Sequence, residues 1–258
     1  MKNPYERTDT VARFYDTIYA KVRSIDTGYY LKKIAQTKGP VLEVGVGTGR
    51  IFFTALKKGA DIFGIDASPA MIEKLKKKIG PEDQCRVAVQ DAISMQLEKK
   101  FDLIIAPFRV FSHLITVEDQ LSALDKIHDH LMPGGLFIFD VFIPNHKALA
   151  EGMTDRLDFE GEHAPGKILR RYSSTQTDPI EQLIHVTMRF VWEENGREMT
   201  DKWEFPLRYF FRYELEHLIG RSKLKLGHIF GDFHENELDA DSEEFLVVCT
   251  RGIQFPKT

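Results

Sequence analysis

The stretch Val41-Leu42-Glu43-Val44-Gly45-Val46-Gly47-Thr48-Gly49-Arg50 decides the fold. Its first four residues read as a short strand. Its glycines read as a tight turn into a helix over residues 48–58. Glycines in that position let a ligand reach the backbone N–H groups at a helix start. A carboxylate or a phosphate suits such a loop, so the loop alone does not choose the ligand. The spacing is GxGxG, because Arg50 stands where a pyrophosphate loop wants a third small residue.

Downstream, strand and helix patterns alternate. Residues 61–66 read as a second strand. Ser68 caps the next helix and Pro69 suits its first turn, with Met71, Ile72, Leu75 and Ile79 at helical spacing. Residues 86–89 and 101–106 read as strands three and four. A helix over 116–131 is broken by Pro133-Gly134-Gly135, and 136–142 form an apolar fifth strand. This alternation predicts an α/β fold with a doubly wound, mostly parallel sheet. A helix over 213–219 and strands over 226–230 and 245–250 bring the sheet to seven strands.

Between these parts the period changes to two. Residues 158–210 read as an antiparallel β insertion after strand 5, within a single domain of residues 1–258 that opens with a helical cap over 1–38. Asn195-Gly196 is a strong two-residue hairpin signal. Such a loop sets Val186, Met188 and Trp192 opposite Phe205, Trp203 and Met199 on one face. Phe190 then faces Asp201, a polar break in that face. Residues 168–174 add a third strand.

The bulk numbers exclude several classes. The chain has 258 residues, 43% of them hydrophobic, and a net charge of −4. No basic balance points to nucleic acid. Cys85 and Cys249 form no CxxC pair and no metal-ligand spacing, so reduced thiols and no metal are expected. The first twenty residues lack the apolar core of a signal peptide, and no apolar run reaches the ~20 residues of a membrane span. A soluble, cytoplasmic protein is expected, either monomer or homodimer.

Three acids sit beside the loop. Asp66 closes the second strand 19 residues beyond Gly47 (66 − 47), where an acid can accept hydrogen bonds from ribose hydroxyls. It could equally cap the following helix. Asp91 closes the third strand and suits an adenine amino group or a solvated loop. Glu43 suits either ligand contact or the loop's own N–H groups.

The strings EVGVGTGR, GIDASPAM, VQDA, FDLIIAPF and HLMPGGLFIFDVF, in that order, resemble the class I S-adenosylmethionine-dependent methyltransferases of small-molecule type. The chain is also similar to sugar N,N-dimethyltransferases. The likeness is close over residues 15–142 and looser over 213–250. It implies the Rossmann-like class I fold, with S-adenosylmethionine as cofactor and S-adenosylhomocysteine as product. Glu43, Gly45, Val46, Gly47 and Gly49 would flank the methionine half. Asp66 would hold the ribose. Ala67, Asp91 and Ala92 would meet the adenine, with Met71 in the cofactor set. Pro107 and Phe108 would lie beneath the sulfonium. Val46 stands where many members carry Cys or Ala.

Such an enzyme transfers methyl to N or O of a small-molecule acceptor by in-line displacement, and need only align the acceptor and exclude water. His113 suits a general base, or packing between helix and strand. Arg109 suits an acidic substrate, or a surface or cofactor-carboxylate contact. Tyr15 and Tyr19 suit a lid over the cofactor, or plain helix packing. The insertion would roof the acceptor pocket, form a dimer interface, or simply hold its own core. Arg170, Arg171, Arg189, Arg208 and Arg212 suit a basic pocket or a solvated sheet face. A non-catalytic cofactor-binding module and a nicotinamide-dependent dehydrogenase are the competing readings. Ala106-Pro107-Phe108-Arg109 stands where an amide-methylating enzyme would carry an Asn-Pro-Pro-Tyr-like motif.

Overall fold

The computed structural model describes residues 9–19 and 24–252. Residues 1–8 and 20–23, part of the expected N-terminal cap, lie outside the described residues, as do 253–258. Helices α1 (Asp9–Tyr19) and α2 (Ser24–Gln36) precede β1 (Val41–Val44), α3 (Phe52–Lys57), β2 (Ile62–Asp66) and α4 (Pro69–Lys76). β3 (Val87–Val89), β4 (Phe101–Ala106), α5 (Val117–His130), β5 (Leu131–Phe142) and α6 (His146–Glu151) follow. Four long strands come next: β6 (Met153–Ala164), β7 (Lys167–Asp178), β8 (Leu183–Glu194) and β9 (Arg197–Arg208). α7 (Arg212–Arg221), β10 (Lys225–Phe230) and β11 (Glu244–Thr250) complete the chain.

The main sheet has seven strands in the order β10-β11-β5-β4-β1-β2-β3. The first five strands of the chain pair in parallel, and β11 and β10 are antiparallel at one edge. This is the class I methyltransferase arrangement expected from the sequence. Burial explains the apolar runs: every residue of β1 is buried, as are Leu103 to Ala106 of β4. Ser68 caps α4 as expected, accepting the Met71 N–H, with Pro69 in the first turn. Among the described residues no helix is long and apolar enough to cross a membrane.

Within the main α/β part, two boundaries differ from the sequence reading by four residues or more. α3 starts at Phe52 and not near Thr48, because Gly47 and Gly49 hold left-handed backbone (φ 55° and 88°) that no right-handed helix accommodates. β5 starts at Leu131, five residues early. Phe101 pairs with Leu131, then the register shifts and Leu103 pairs with Leu136. Pro133-Gly134-Gly135 is therefore a bulge within the strand, with Gly134 at φ 78°.

The second sheet has the order β6-β7-β8-β9. Its strands run over 153–208, and it holds a fourth strand, β6, beyond the three read from the sequence. Charged Asp155, Arg156, Asp158, Glu160 and Glu162 obscure the alternation there. The hairpin register is the expected one, with Val186 opposite Phe205, Met188 opposite Trp203 and Trp192 opposite Met199. Asn195 and Gly196 both have positive φ, at 55° and 71°, as a type I′ turn requires. The inward face of this sheet packs on α1: Leu169, Phe190 and Trp192 bury against Val11, Phe14 and Ile18, with Met71 of α4. A ring buried like Phe14 contributes about 1.5–3 kcal/mol. Asp201, the polar break in that face, accepts the Thr10 hydroxyl. α1 thus lies between the second sheet and α4.

Candidate active site

The glycine loop is built from close contacts on two sides and an opening on the third. A Cβ on Gly45 would lie 2.3 Å from Val110 Cγ2, and one on Gly49 would lie 2.4 Å from Leu75 Cδ1. Among the described residues a Cβ on Gly47 would meet nothing within 4 Å. Packing requires the outer two glycines. The middle one borders open space, where bare backbone can meet a ligand. Val46 turns inward, is buried, and sits where a Cβ on Gly64 would be 2.8 Å away.

Of the three acids, Asp66 is bonded to that loop, and Glu43 and Asp91 lie within electrostatic reach of Asp66. Asp66 Oδ2 accepts the Gly47 N–H at 2.8 Å, and Oδ1 accepts the Ser68 N–H at 2.8 Å. Each oxygen retains a further lone pair. Burial, with Asp91 adding to it, pushes the Asp66 carboxyl up, against the pull of those two N–H groups. Asp91 lies in an open cleft of about 560 Å³, lined also by Ala67, Val89, Gln90, Ser94 and Gln96. Ala92 packs against the core beside it. Glu43 is buried, and burial pushes its carboxyl up to about 8. Arg50 opposes that shift, but its guanidinium is committed to Asp26 by two bonds of 2.8 Å. Among the described residues Glu43 Oε2 has no hydrogen-bond partner. A buried, unpaired carboxyl oxygen is costly, and a polar ligand group would relieve it. The open side of Gly47 and this orphan oxygen fit a nucleoside carrying an amino-acid tail.

α1 is fixed over the loop. Asp16 accepts from Thr48 Oγ1 at 2.6 Å and Lys78 Nζ at 2.8 Å, and both contacts hold its carboxyl below the usual range against desolvation. Lys74 Nζ reaches the Ala12 and Arg13 carbonyls. The helix therefore presents Tyr15 and Tyr19 to the site, with ring centroids 4.6 Å apart. Tyr15 is pushed well up, first by burial and then by Tyr19, with Asp66 and Glu43 contributing.

The second sheet contributes one polar cluster to the same place. Arg171 donates to Tyr19 Oη at 2.6 Å through Nη1, and to Asp158 at 2.8 and 3.1 Å through Nε and Nη2. Ser173 Oγ donates to the same carboxylate at 2.6 Å. The other four arginines pair with Glu160, Asp155, Glu214 and Glu216, away from α1. The basic pocket considered from the sequence is not assembled from these five. Arg171 is the one of them that reaches the site.

The floor is the turn after β4. Pro107 is buried. Phe108 and Arg109 both adopt left-handed backbone, at φ 62° and 63°. Each such non-glycine residue costs on the order of 1–3 kcal/mol and persists only where its surroundings hold it. Asp140 of β5 is the holder. It is fully buried and accepts the Phe108 N–H at 2.9 Å, the Arg109 N–H at 3.1 Å and the Tyr30 hydroxyl at 2.7 Å. Asp140 was not among the residues read from the sequence. The available signal was a lone acid in the apolar run Leu136-Phe137-Ile138-Phe139-Asp140-Val141-Phe142.

Phe108 places its ring 5.3 Å from Tyr19 and 5.2 Å from the Arg50 guanidinium. Arg109 points its charge to Glu244, at 2.7 Å, and over the Phe142 ring. His113 ends the 3-10 turn Val110–His113, 5.6 Å from Phe205, and burial alone pushes its pKa down to about 4. Met71 joins the apolar cluster between α1, α4 and the second sheet.

Comparison with known proteins agrees with this geometry. Residues 41–135 match the family described as "Methyltransferase domain". The chain is 32% identical to an uncharacterized methyltransferase, GK2543, of Geobacillus kaustophilus over 185 residues, 69% of this chain and 82% of that protein. It is 22% identical to the putative methyltransferase YqeM of Bacillus subtilis over 90% of this chain and 92% of that one. A crystal structure of an S-adenosylmethionine-dependent methyltransferase from Clostridium acetobutylicum superimposes with a TM-score of 0.75 at 19% identity, over 95% of this chain and 98% of that one. The sugar N-methyltransferase KedS8 of a Streptoalloteichus species gives a TM-score of 0.72 at 15% identity, over 93% and 91%.

Proposed function

Because the chain belongs to the S-adenosylmethionine-dependent methyltransferases, we propose that it methylates a nitrogen or oxygen of a small-molecule acceptor, with an amine favoured. The bound cofactor supplies a methyl carbon already activated by its sulfonium. The chain's own residues bind, orient and exclude water, effects that together can supply about 7–11 kcal/mol. In this reading Glu43, Gly45, Val46, Gly47 and Gly49 receive the methionine half, and Asp66 accepts from the ribose. Ala67, Asp91 and Ala92 receive the adenine, with Met71 supporting the wall behind them. Pro107 and Phe108 form the floor of the transfer site, and Tyr15 and Tyr19 close it.

The observation that carries the small acceptor is the roof. α1 and the inward face of the second sheet, with buried Arg171 held to Tyr19 and Asp158, stand over the glycine loop and the turn after β4. That enclosure suits a metabolite better than a macromolecule. Within one domain, α1 and α2 serve as the cap and the second sheet as the insertion. An amine that arrives neutral needs no strong base, whereas a hydroxyl gains from one. His113, held near 4, is neutral at pH 7; it can accept a hydrogen bond but is a weak base. In this reading Arg109 is drawn to Glu244 and is assigned no contact with the acceptor. KedS8, named as a sugar N-methyltransferase, supports an amine among small acceptors.

The test is release of S-adenosylhomocysteine with a panel of amines, amino sugars and matched alcohols. Turnover on at least one small amine is expected. Tight S-adenosylhomocysteine binding without turnover on any member would favour the non-catalytic module. Turnover on alcohols alone would overturn the amine preference.

A further inference from the structure

We propose that Asp140 is a positioning residue for methyl transfer, setting the floor of the transfer site through the left-handed pair Phe108-Arg109. Three donors converge on its buried carboxylate: the two successive N–H groups of that pair and the Tyr30 hydroxyl. A carboxylate is an acceptor at both oxygens and suits three donors, whereas an amide has a single acceptor oxygen. Two consecutive non-glycine residues with positive φ do not hold that shape unaided. The bonds to Asp140 supply the restraint, and the turn in return aims the Phe108 ring at Tyr19 and Arg50.

The next residues do not depend on Asp140 in the same way. Phe111 is buried, with its ring 4.6 Å from Phe139 and 5.6 Å from Phe210. That core contact holds Val110 against Gly45. Asp140 therefore governs Phe108, while the glycine loop keeps its own support. α2 shares in the device, since Tyr30 of that helix bonds the same carboxylate.

This inference rests on the proposed cofactor site, and the test separates the two. Calorimetry would compare S-adenosylhomocysteine with sinefungin, an analogue whose protonated amine stands where the transferred methyl would be. The protein with Asp140→Asn should keep its affinity for S-adenosylhomocysteine and lose about tenfold for sinefungin, the scale of a cation–aromatic contact. Arg109→Gly removes one left-handed penalty, so Asp140→Asn in that background should cause a smaller fold-change.

Equal loss for both ligands, no loss for either, or the same loss in both backgrounds would overturn the role of Asp140. Should Asp140→Asn alone fail to fold, Asp140→Asn/Arg109→Gly against Arg109→Gly gives the same decision: selective loss of sinefungin supports the role, and equal or no loss overturns it. A native protein that binds neither ligand would instead reject the cofactor site itself.

Discussion

Gly47 donates its N–H to Asp66 Oδ2 at 2.8 Å, joining the turn after β1 to the acid that closes β2. The other Asp66 oxygen takes the Ser68 N–H ahead of α4. One side chain thus supports two backbone segments and still has lone pairs for a ligand. Asp66→Ala should weaken S-adenosylhomocysteine binding by about 1–3 kcal/mol, the cost of leaving buried polar groups unpaired. Calorimetry with parallel melting curves checks this. A lower Tm with unchanged affinity would assign Asp66 to loop support alone.

The glycines of the loop should separate stability from binding. Gly49→Ala forces a Cβ to within 2.4 Å of Leu75 Cδ1 on left-handed backbone, and should destabilise the fold strongly. Gly47→Ala meets open space, so its stability cost is the left-handed penalty of about 1–2 kcal/mol. Its cost in cofactor affinity should be the larger effect, because the new methyl enters the ligand's space. Denaturant melts and calorimetry on the two variants test the contrast. Intact S-adenosylhomocysteine affinity in Gly47→Ala would place the ligand elsewhere.

The sequence made the frame legible and left its adjustments hidden. Alternation and the Asn195-Gly196 turn specified a strand register that the structure reproduces pair by pair, because period and turn geometry are local properties. Glycine spacing located the loop for the same reason. Asp140 could not be assigned a partner, since its backbone donors lie 31 and 32 residues away in a turn whose left-handed residues are Phe and Arg, and its third donor, Tyr30, lies 110 residues away. Nothing in a Phe-Arg pair announces positive φ. Arg171 was similarly one of five arginines until α1 met the sheet. β6 escaped notice because its charged residues hide the period of two.

Glu43 should make stability depend on pH in an unusual direction. Burial holds its folded carboxyl at about 8, well above the ordinary carboxylate range. Between that range and about 8, the folded chain retains a proton that the unfolded chain has released. Stability therefore falls as pH rises through the window, by at most about 1.4 kcal/mol per pH unit. Glu43→Gln has no such proton to lose. Urea melts at pH 5.5, 6.5 and 7.5 should show the variant gaining on the native protein as pH rises. Parallel curves would mean that Glu43 is ionised within the fold.

Arg171 connects the roof to the lid, and its loss should loosen α1 before it harms the sheet. Its guanidinium spans Tyr19 Oη and both oxygens of Asp158, three bonds that need a planar fork. Lysine keeps the charge and offers no planar fork, so Arg171→Lys should not hold Tyr19 Oη and both Asp158 oxygens at once. Asp158 keeps its bond from Ser173 either way. Amide hydrogen exchange should therefore quicken over residues 9–19 in Arg171→Lys while β8 and β9 keep native protection. Tyr19→Phe, which removes the acceptor from the other side, should quicken the same helix. Native exchange over α1 in both variants would mean that Asp16, through Thr48 and Lys78, holds the helix without help from the roof.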